Sequence, residues 1–269
     1  MTGFLRGTVL ALMLFPTVGV AQDFDAGLAA AQSGDFATAL REWTPLANQG
    51  GASAQNNLGA MYENGDGVPQ DYAQAVKWYR LAADQDNADA QDNLGLLFAN
   101  GTGVPQDYAQ AVKLFRLAAD QHNVGAQNNL GLMYYNGTGV PQDYAQAVVW
   151  YRLAANQGSA EAQNNLGVMY ENGDGVPQDY AEAIKWYRLA ANRGSAGAQS
   201  NLGLMYENGT GVPQDYITAL MWAIIAGTNG YAGATKNRDM VAAKMSPADL
   251  SEAQRRAKVC IASKYQNCD

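Results

Sequence analysis

The chain has 269 residues, and its 25 acidic residues outnumber the 17 basic ones to give a net charge of −8. Proteins that bind nucleic acids or anionic membranes present a basic face, so this balance excludes both as expected partners. One histidine and two cysteines are too few for a multi-histidine metal centre or a four-ligand zinc site. We therefore expect no metal and no cofactor.

The first 21 residues have the pattern of an export signal. Arg6 precedes an apolar run from Thr8 to Val20, and Gly19-Val20-Ala21 supplies small residues at the cleavage position. The run is shorter than the about 20 residues that cross a bilayer, although a membrane anchor is the alternative interpretation. We predict a signal peptide at 1–21 and a mature chain from Gln22 that is not inserted in a membrane. Its expected location is a bacterial periplasm, with an extracellular or cell-surface location as the alternative.

A nine-residue motif then recurs five times. The motif is Asn-Gly-Asp/Thr-Gly-Val-Pro-Gln-Asp-Tyr, and each occurrence lies 36 residues after the previous one. Its prolines are Pro69, Pro105, Pro141, Pro177 and Pro213. A fixed period in this range is the signature of a stacked repeat array. The predicted repeats are 52–87, 88–123, 124–159, 160–195 and 196–231.

The first half of each repeat predicts a helix. In the first copy Ala54, Leu58 and Tyr62 follow helical spacing and form one apolar face. The helix is expected to end at Gly65, because glycine adopts the left-handed conformation that closes a helix. Gly59 lies on the packing face, and we expect any larger side chain there to push the partner helix away.

The second half of each repeat predicts another helix, from Tyr72 to about Ala83 in the first copy. Asp71 is the expected N-cap, and Gln74 has the spacing of the second residue of a capping box. A single helix pair cannot bury its apolar faces alone, whereas stacked neighbours can. Stability is therefore expected to come from the contacts between adjacent repeats.

The repeat resembles the Sel-1-like repeat, a longer-looped relative of the tetratricopeptide repeat. The resemblance is carried by Ala-Gln-Asn-Asn-Leu-Gly-x-Met-Tyr-Glu-Asn-Gly-x-Gly-Val-Pro-Gln-Asp-Tyr-Ala-x-Ala-x-x-Trp-Tyr-Arg-Leu-Ala-Ala and extends from Ala52 to Tyr231. It implies an all-α fold, a right-handed superhelical solenoid of helix-turn-helix repeats whose first helices line the concave surface. The fifth copy departs from the pattern at 221–225, which suggests a transition to a C-terminal cap.

The two ends of the array are predicted to be caps. Residues 22–51 contain a degenerate repeat whose first helix is expected at Ala26 to Gln32. Residues 232–269 are expected to hold capping helices, the last of which starts at Ser246-Pro247 and runs to about Ala262. Cys260 and Cys268 are separated by seven residues, and such a pair in an exported protein predicts a disulfide. A redox-active or metal-binding pair is the alternative.

No combination of residues predicts a catalytic centre. His122 lies in an inter-repeat turn and is expected to be solvated. The aligned acids Glu63, Glu171 and Glu207 could act as general acid and base, but their repetition favours a solvated face. The Gly-x-Gly loops lack the preceding strand and following lysine of a phosphate-binding loop. The serine and lysine motifs of β-lactamases are absent from the sequence. We predict that the protein is not an enzyme.

Comparison of the five copies indicates a candidate binding surface on the first helices. Positions equivalent to 60 form an apolar row, and positions equivalent to 63 form an adjacent row of acidic and aromatic residues. The candidate partner-binding residues are Asn56, Glu63, Leu96, Leu132, Tyr135, Val168, Glu171, Leu204 and Glu207. The alternative is that the apolar row packs against the neighbouring repeat. The asparagine of position 57 is the same in every copy, and it is expected either to bridge adjacent repeats or to bind an extended peptide backbone.

These observations predict an exported scaffold that binds a protein or peptide partner in the groove of the solenoid. Two alternatives are a hydrolase that acts on the cell wall or a β-lactam, since some Sel-1-like proteins carry a β-lactamase label, and a secreted factor that binds host molecules. The partner itself is not predicted.

Overall fold

The computed structural model describes residues 23–266 and residue 268, so the predicted signal peptide lies outside the described residues. Within this part of the chain all regular structure is helical, and fourteen helices follow one another. They are α1 (Phe24–Gln32), α2 (Phe36–Asn48), α3 (Ala52–Asn64), α4 (Tyr72–Ala83), α5 (Ala88–Asn100), α6 (Tyr108–Asp120), α7 (Val124–Asn136), α8 (Tyr144–Asn156), α9 (Ala160–Asn172), α10 (Tyr180–Ala191), α11 (Ala196–Asn208), α12 (Tyr216–Thr228), α13 (Ala234–Ala242) and α14 (Pro247–Ala262).

The helices pack as a series of pairs, which confirms the predicted all-α solenoid. The two helices of each repeat pack most closely on each other, as α3 does on α4. The second helix of each repeat also packs on the first helix of the next, as α4 does on α5. Within the repeats, each of these interfaces therefore joins helices that are neighbours in sequence, as expected for a repeat array.

The nine-residue motif forms the loop between the two helices of each repeat. Backbone geometry explains its glycines at one end and its aspartate at the other. Gly65 ends α3 with φ 80° and donates its N–H to the Met61 carbonyl. Gly67 also has positive φ, and a Cβ there would lie 2.8 Å from Phe36 Cβ, so the loop packs directly on the preceding repeat. Asp71 caps α4 by accepting from the N–H groups of Ala73 and Gln74.

The capping box predicted at this position is wrong. The N–H of Asp71 donates to the Tyr62 carbonyl at 2.9 Å instead of to a side chain of α4. The Gln74 side chain therefore does not close the box, because the end of α3 already supplies the acceptor. This bond ties the start of the second helix to the end of the first.

The glycine on the packing face of the first helix makes room for an aromatic ring. A Cβ at Gly59 would lie 2.5 Å from Cδ1 of Tyr79, and one at Gly131 would lie 2.7 Å from Cδ1 of Tyr151. These distances confirm that a larger side chain would force the helices apart. The fifth copy differs, since the nearest atom to a Cβ at Gly203 is a backbone oxygen 3.2 Å away.

The N-terminal pair α1 and α2 packs like a repeat with a short turn. Its first helix begins at Phe24, two residues before the predicted start, because Asp23 caps it by accepting from two backbone N–H groups. Trp43 lies against Gly27 and donates its indole N–H to the Phe24 carbonyl at 3.1 Å. The indole thereby fixes α1 on α2.

At the other end, α14 packs on α12 and explains why the fifth copy departs from the pattern. Met221 and Ile225 of α12 are buried in the same cluster as Ala257 and Cys260 of α14. The equivalent positions of the first copy, Lys77 and Leu81, are exposed. The predicted α14 boundaries are confirmed, with Ser246 as N-cap. A disulfide joins Cys260 to Cys268 and closes the end of α14.

Candidate binding surface

The apolar positions equivalent to 60 form a row along the first helices, here called the first-helix row. It consists of Ala60, Leu96, Leu132, Val168 and Leu204. Leu96 and Leu132 are 37% and 41% exposed, whereas the other three are half-buried. Ala60 and Val168 pack in part against buried clusters of their neighbours. Packing between repeats therefore accounts for only part of this row, and its middle is open.

Beside this row, the acids predicted to form a solvated face are bound within the protein instead. Glu63 accepts a hydrogen bond from the hydroxyl of Tyr79 at 2.7 Å, and Glu171 accepts one from Tyr187 at 2.6 Å. Glu207 is buried and pairs with Lys244 at 2.8 Å. The prediction of a solvated face was wrong because the sequence does not show that a tyrosine sixteen positions later reaches Glu63 and Glu171, or that Lys244 reaches Glu207.

Burial is the main cause of the altered titration of these tyrosines. It raises the pKa of Tyr79 and of Tyr187 well above the usual range, and the hydrogen bond to the neighbouring glutamate raises each further. Both hydroxyls therefore stay protonated and act as donors. In the second copy Ala99 replaces the glutamate and Phe115 replaces the tyrosine. Both side chains are apolar, so no hydrogen bond is needed between these positions.

In the third copy the buried tyrosine is Tyr151, and no glutamate stands beside it. Tyr135 takes the place of the glutamate, and its ring packs on Tyr144 with centroids 5.3 Å apart. A cavity of about 100 Å³ opens between Leu132, Tyr135, Tyr151, Asn165 and Val168. Tyr151 is 2% exposed, and its hydroxyl has no hydrogen-bond partner among the described residues. Burial raises the pKa of Tyr151 above the usual range, so this hydroxyl is also a donor.

The repeated asparagines bridge adjacent repeats, as one of the two interpretations predicted. The Nδ2 group of Asn93 donates to Asn56 Oδ1 at 3.2 Å, and that of Asn165 donates to Asn128 Oδ1 at 3.2 Å. Asn237 of α13 donates to Ser200 at 3.1 Å and extends the ladder beyond the fifth copy. The 36-residue spacing from Asn201 to Asn237 was the signal for this contact.

A second ladder was missed by the sequence analysis. The side chain of Gln85 donates to Gln55 Oε1 at 2.7 Å, and Gln55 donates in turn to the Ala47 carbonyl at 3.0 Å. The same arrangement recurs between Gln121 and Gln91 at 2.8 Å. Both glutamines are present in copies one to three, but identity alone does not reveal that they face each other.

One acid interrupts the asparagine ladder. Asp92 stands where the first copy has Asn56, and it accepts from Asn129 Nδ2 at 2.9 Å. Burial raises the pKa of the Asp92 carboxyl to about 6, the bond from Asn129 lowers it, and the nearby Asp89 raises it. Part of the ladder is therefore charged at neutral pH and uncharged in mild acid.

The remaining candidate features of residues 23–266 and 268 are a metal site, a membrane-spanning helix and the single histidine. This part of the chain contains no group of three or more histidine, cysteine or acidic side chains placed to hold a metal ion. It also contains no helix with the length and apolar character needed to cross a bilayer. His122 is exposed in its turn, as predicted, with φ 65°.

Comparison with known proteins agrees with the repeat geometry. The Sel1 repeat matches residues 52–87, 88–123, 124–159, 160–195 and 196–231. The crystal structure of a Sel1 repeat protein from Oxalobacter formigenes is similar at 31% identity and a TM-score of 0.78, over 87% of this chain and 97% of that one. No curated protein matches the chain.

Two further solved structures are similar at lower identity. The protective antigen c5321 of uropathogenic Escherichia coli, which displays the SLR fold, is 27% identical with a TM-score of 0.58, over 90% of this chain and 62% of that one. A Sel1 repeat protein from Klebsiella pneumoniae shares the fold at 23% identity and a TM-score of 0.51, over 74% of this chain and 97% of that one. With five matched repeats covering well over half of its length, the chain belongs to the Sel1 repeat family.

Proposed function

We propose that the protein is an exported, non-catalytic scaffold that binds an extended segment of a partner protein along the first-helix row. The observation that carries this proposal is the exposure of Leu96 and Leu132 beside an open cavity, on a face whose other polar groups are largely bonded to each other. Exposed apolar side chains next to a pocket are typical of surfaces that contact other proteins.

Export is supported by two features. The N-terminal segment has the composition of a signal peptide. The disulfide between Cys260 and Cys268 is of a kind that persists in oxidising compartments and is rare in the cytosol. We expect the processed protein in the periplasmic fraction of a bacterial cell, and a cytosolic location with reduced cysteines would contradict this part of the proposal.

The chain offers a matched control for the binding surface. Leu117 and Leu153 lie on second helices, and they are 51% and 42% exposed, so their exposure resembles that of the two open leucines of the first-helix row. One variant carries Leu96→Asp with Leu132→Asp, and the control carries Leu117→Asp with Leu153→Asp. Both add two charges at exposed leucines, and neither removes a buried side chain.

Capture of partners from the native cell, by crosslinking and mass spectrometry, tests the proposal. We expect the first variant to lose the captured proteins at least tenfold and the control to retain them. Equal capture by both variants would contradict binding along the first-helix row. Greater loss in the control would instead assign the partner surface to the second helices.

A further inference from the structure

The third repeat differs from its neighbours at one hydrogen bond. In the first and fourth copies a buried tyrosine hydroxyl donates to a glutamate of its own repeat, as Tyr79 does to Glu63 and Tyr187 does to Glu171. In the third copy the equivalent hydroxyl, that of Tyr151, has no acceptor within the described residues. The hydroxyl opens to the cavity, so its acceptor is either water or a group of a bound molecule that enters the cavity and replaces that water.

Asn165 is the second polar residue at the cavity, and its side-chain oxygen provides an acceptor. Asn165 donates through Nδ2 to Asn128 Oδ1, and its own side-chain oxygen accepts no hydrogen bond within the described residues. The cavity therefore presents one donor, from Tyr151, and one acceptor, from Asn165. Leu132 and Val168 supply its apolar lining. A volume of about 100 Å³ equals the space of about three water molecules and admits a group of a few heavy atoms.

The charges around the cavity decide whether a carboxylate or a carboxamide is the better acceptor for the Tyr151 hydroxyl. None of the described residues that line the cavity is basic. Burial raises the pKa of Tyr135 in the lining, and the negative charge of Asp174 raises it further. A carboxylate would lose its hydration without gaining a cation, and this loss is expensive. A carboxamide carries no charge, and it offers both the carbonyl and the N–H group that the two polar residues require.

We propose that this cavity is a subsite for a carboxamide, the side chain of an asparagine or glutamine in the extended partner segment. Its carbonyl accepts from Tyr151 and its N–H donates to Asn165, while its methylene groups contact Leu132 and Val168. The assignment rests on the proposed function, because the partner segment must follow the first-helix row to reach the cavity.

Two variants change the subsite and preserve the fold. Tyr151→Phe removes the donor, and the second copy already carries Phe115 at the same position. Tyr135→Glu recreates the tyrosine–glutamate pair of the first and fourth copies, so it supplies the acceptor internally and closes the subsite. Circular dichroism and thermal melting establish that each variant is folded before binding is measured.

The direct test uses small probes on the purified protein with its disulfide intact. Methyl-labelled leucine and valine are observed by NMR while propionamide, or propionate as the charged isostere, is added to tens of millimolar. We expect propionamide to shift the signals of Leu132 and Val168 in a saturable way, and each variant to weaken this about tenfold. The carboxamide assignment would be overturned if propionate shifted these signals as much as propionamide or more. It would also be overturned if neither probe shifted them, or if the shifts were unchanged in both variants.

A second experiment separates failure of the subsite from failure of the proposed function. A phage library of random twelve-residue peptides is selected on the wild-type protein and on Tyr151→Phe. Enrichment of asparagine or glutamine at one peptide position, lost in the variant, supports the subsite. Peptides that require Leu96 and Leu132 but show no such preference would overturn the subsite alone. Failure to enrich any peptide would overturn both the groove and the subsite.

Discussion

The acid within the asparagine ladder gives a quantitative prediction. Asp92→Asn restores at this position the residue that the first, third and fourth copies carry. In the wild-type protein Asn129 Nδ2 lies 2.9 Å from the carboxylate of Asp92, and the new asparagine keeps an oxygen that can accept the same hydrogen bond. The substitution therefore removes one half-buried charge and leaves the bridge between repeats in place. We expect it to stabilise the protein at neutral pH.

The magnitude follows from the pKa of Asp92, which burial raises from 3.8 to about 6. Each unit corresponds to 1.36 kcal/mol, so the charged carboxylate costs the folded state up to about 3 kcal/mol at neutral pH. Because the folded pKa is raised, the folded state holds a proton between pH 3.8 and about 6 that the unfolded state has lost. Stability of the wild-type protein therefore falls as pH rises through this window and changes no further above it.

Urea unfolding of both proteins across this pH range measures the effect. Asp92→Asn should unfold at higher urea than wild type at pH 7.5, and the difference should vanish near pH 3.5. The reciprocal change Asn128→Asp puts an acid into the same place one repeat later and should destabilise at pH 7.5 but not at pH 3.5. The argument is refuted if the stability difference between Asp92→Asn and wild type stays the same at both pH values, because charge burial would then not be its cause.

Three other substitutions test the packing. Glu171→Ala should cost about 1–3 kcal/mol by leaving the Tyr187 hydroxyl unpaired, and adding Tyr187→Phe should recover part of this in a double-mutant cycle. Gly131→Ala should cost about 1–3 kcal/mol in a thermal melt, since its Cβ would lie 2.7 Å from the Tyr151 ring; an unchanged midpoint would contradict the packing. Replacing Cys260 and its disulfide partner by serine should cost about 2–3 kcal/mol, and faster hydrogen exchange should be confined to α12 and α14.

Period and local chemistry were enough to predict the architecture. The 36-residue spacing predicted the array, and the helix-ending glycine and the aspartate cap predicted where helices begin and end. Asp71 caps α4 and Gly65 closes α3 as expected, because both features depend on only a few neighbouring residues. The failed capping box at Gln74 shows the limit of this kind of argument. The box needs the N–H of Asp71 as its donor, and this N–H is already bonded to the carbonyl of Tyr62, nine positions earlier.

The candidate site was predicted less completely, since its properties depend on pairs of positions. Reading position 63 alone gave an exposed acidic row, whereas Glu63 is bonded to Tyr79. The paired changes were visible in the sequence: Ala99 accompanies Phe115, and glutamate accompanies tyrosine in the first copy. What was missing was the knowledge that residues sixteen apart touch across the helix pair, which only the packing angle of the two helices provides.

That pairing gives the third repeat its significance. If positions 63, 99, 135 and 171 served only to hold helices together, each of the first four copies would carry either a matched polar pair or a matched apolar pair, as the first, second and fourth copies do. The third copy retains the donor of Tyr151 and has replaced its acceptor by Tyr135, whose ring packs on Tyr144 instead. Packing alone gives no reason to keep a hydroxyl there, because Phe115 fills the same space in the second copy. A ligand that supplies the acceptor does give one, and this is why the cavity beside the exposed leucines is the place to look for the partner.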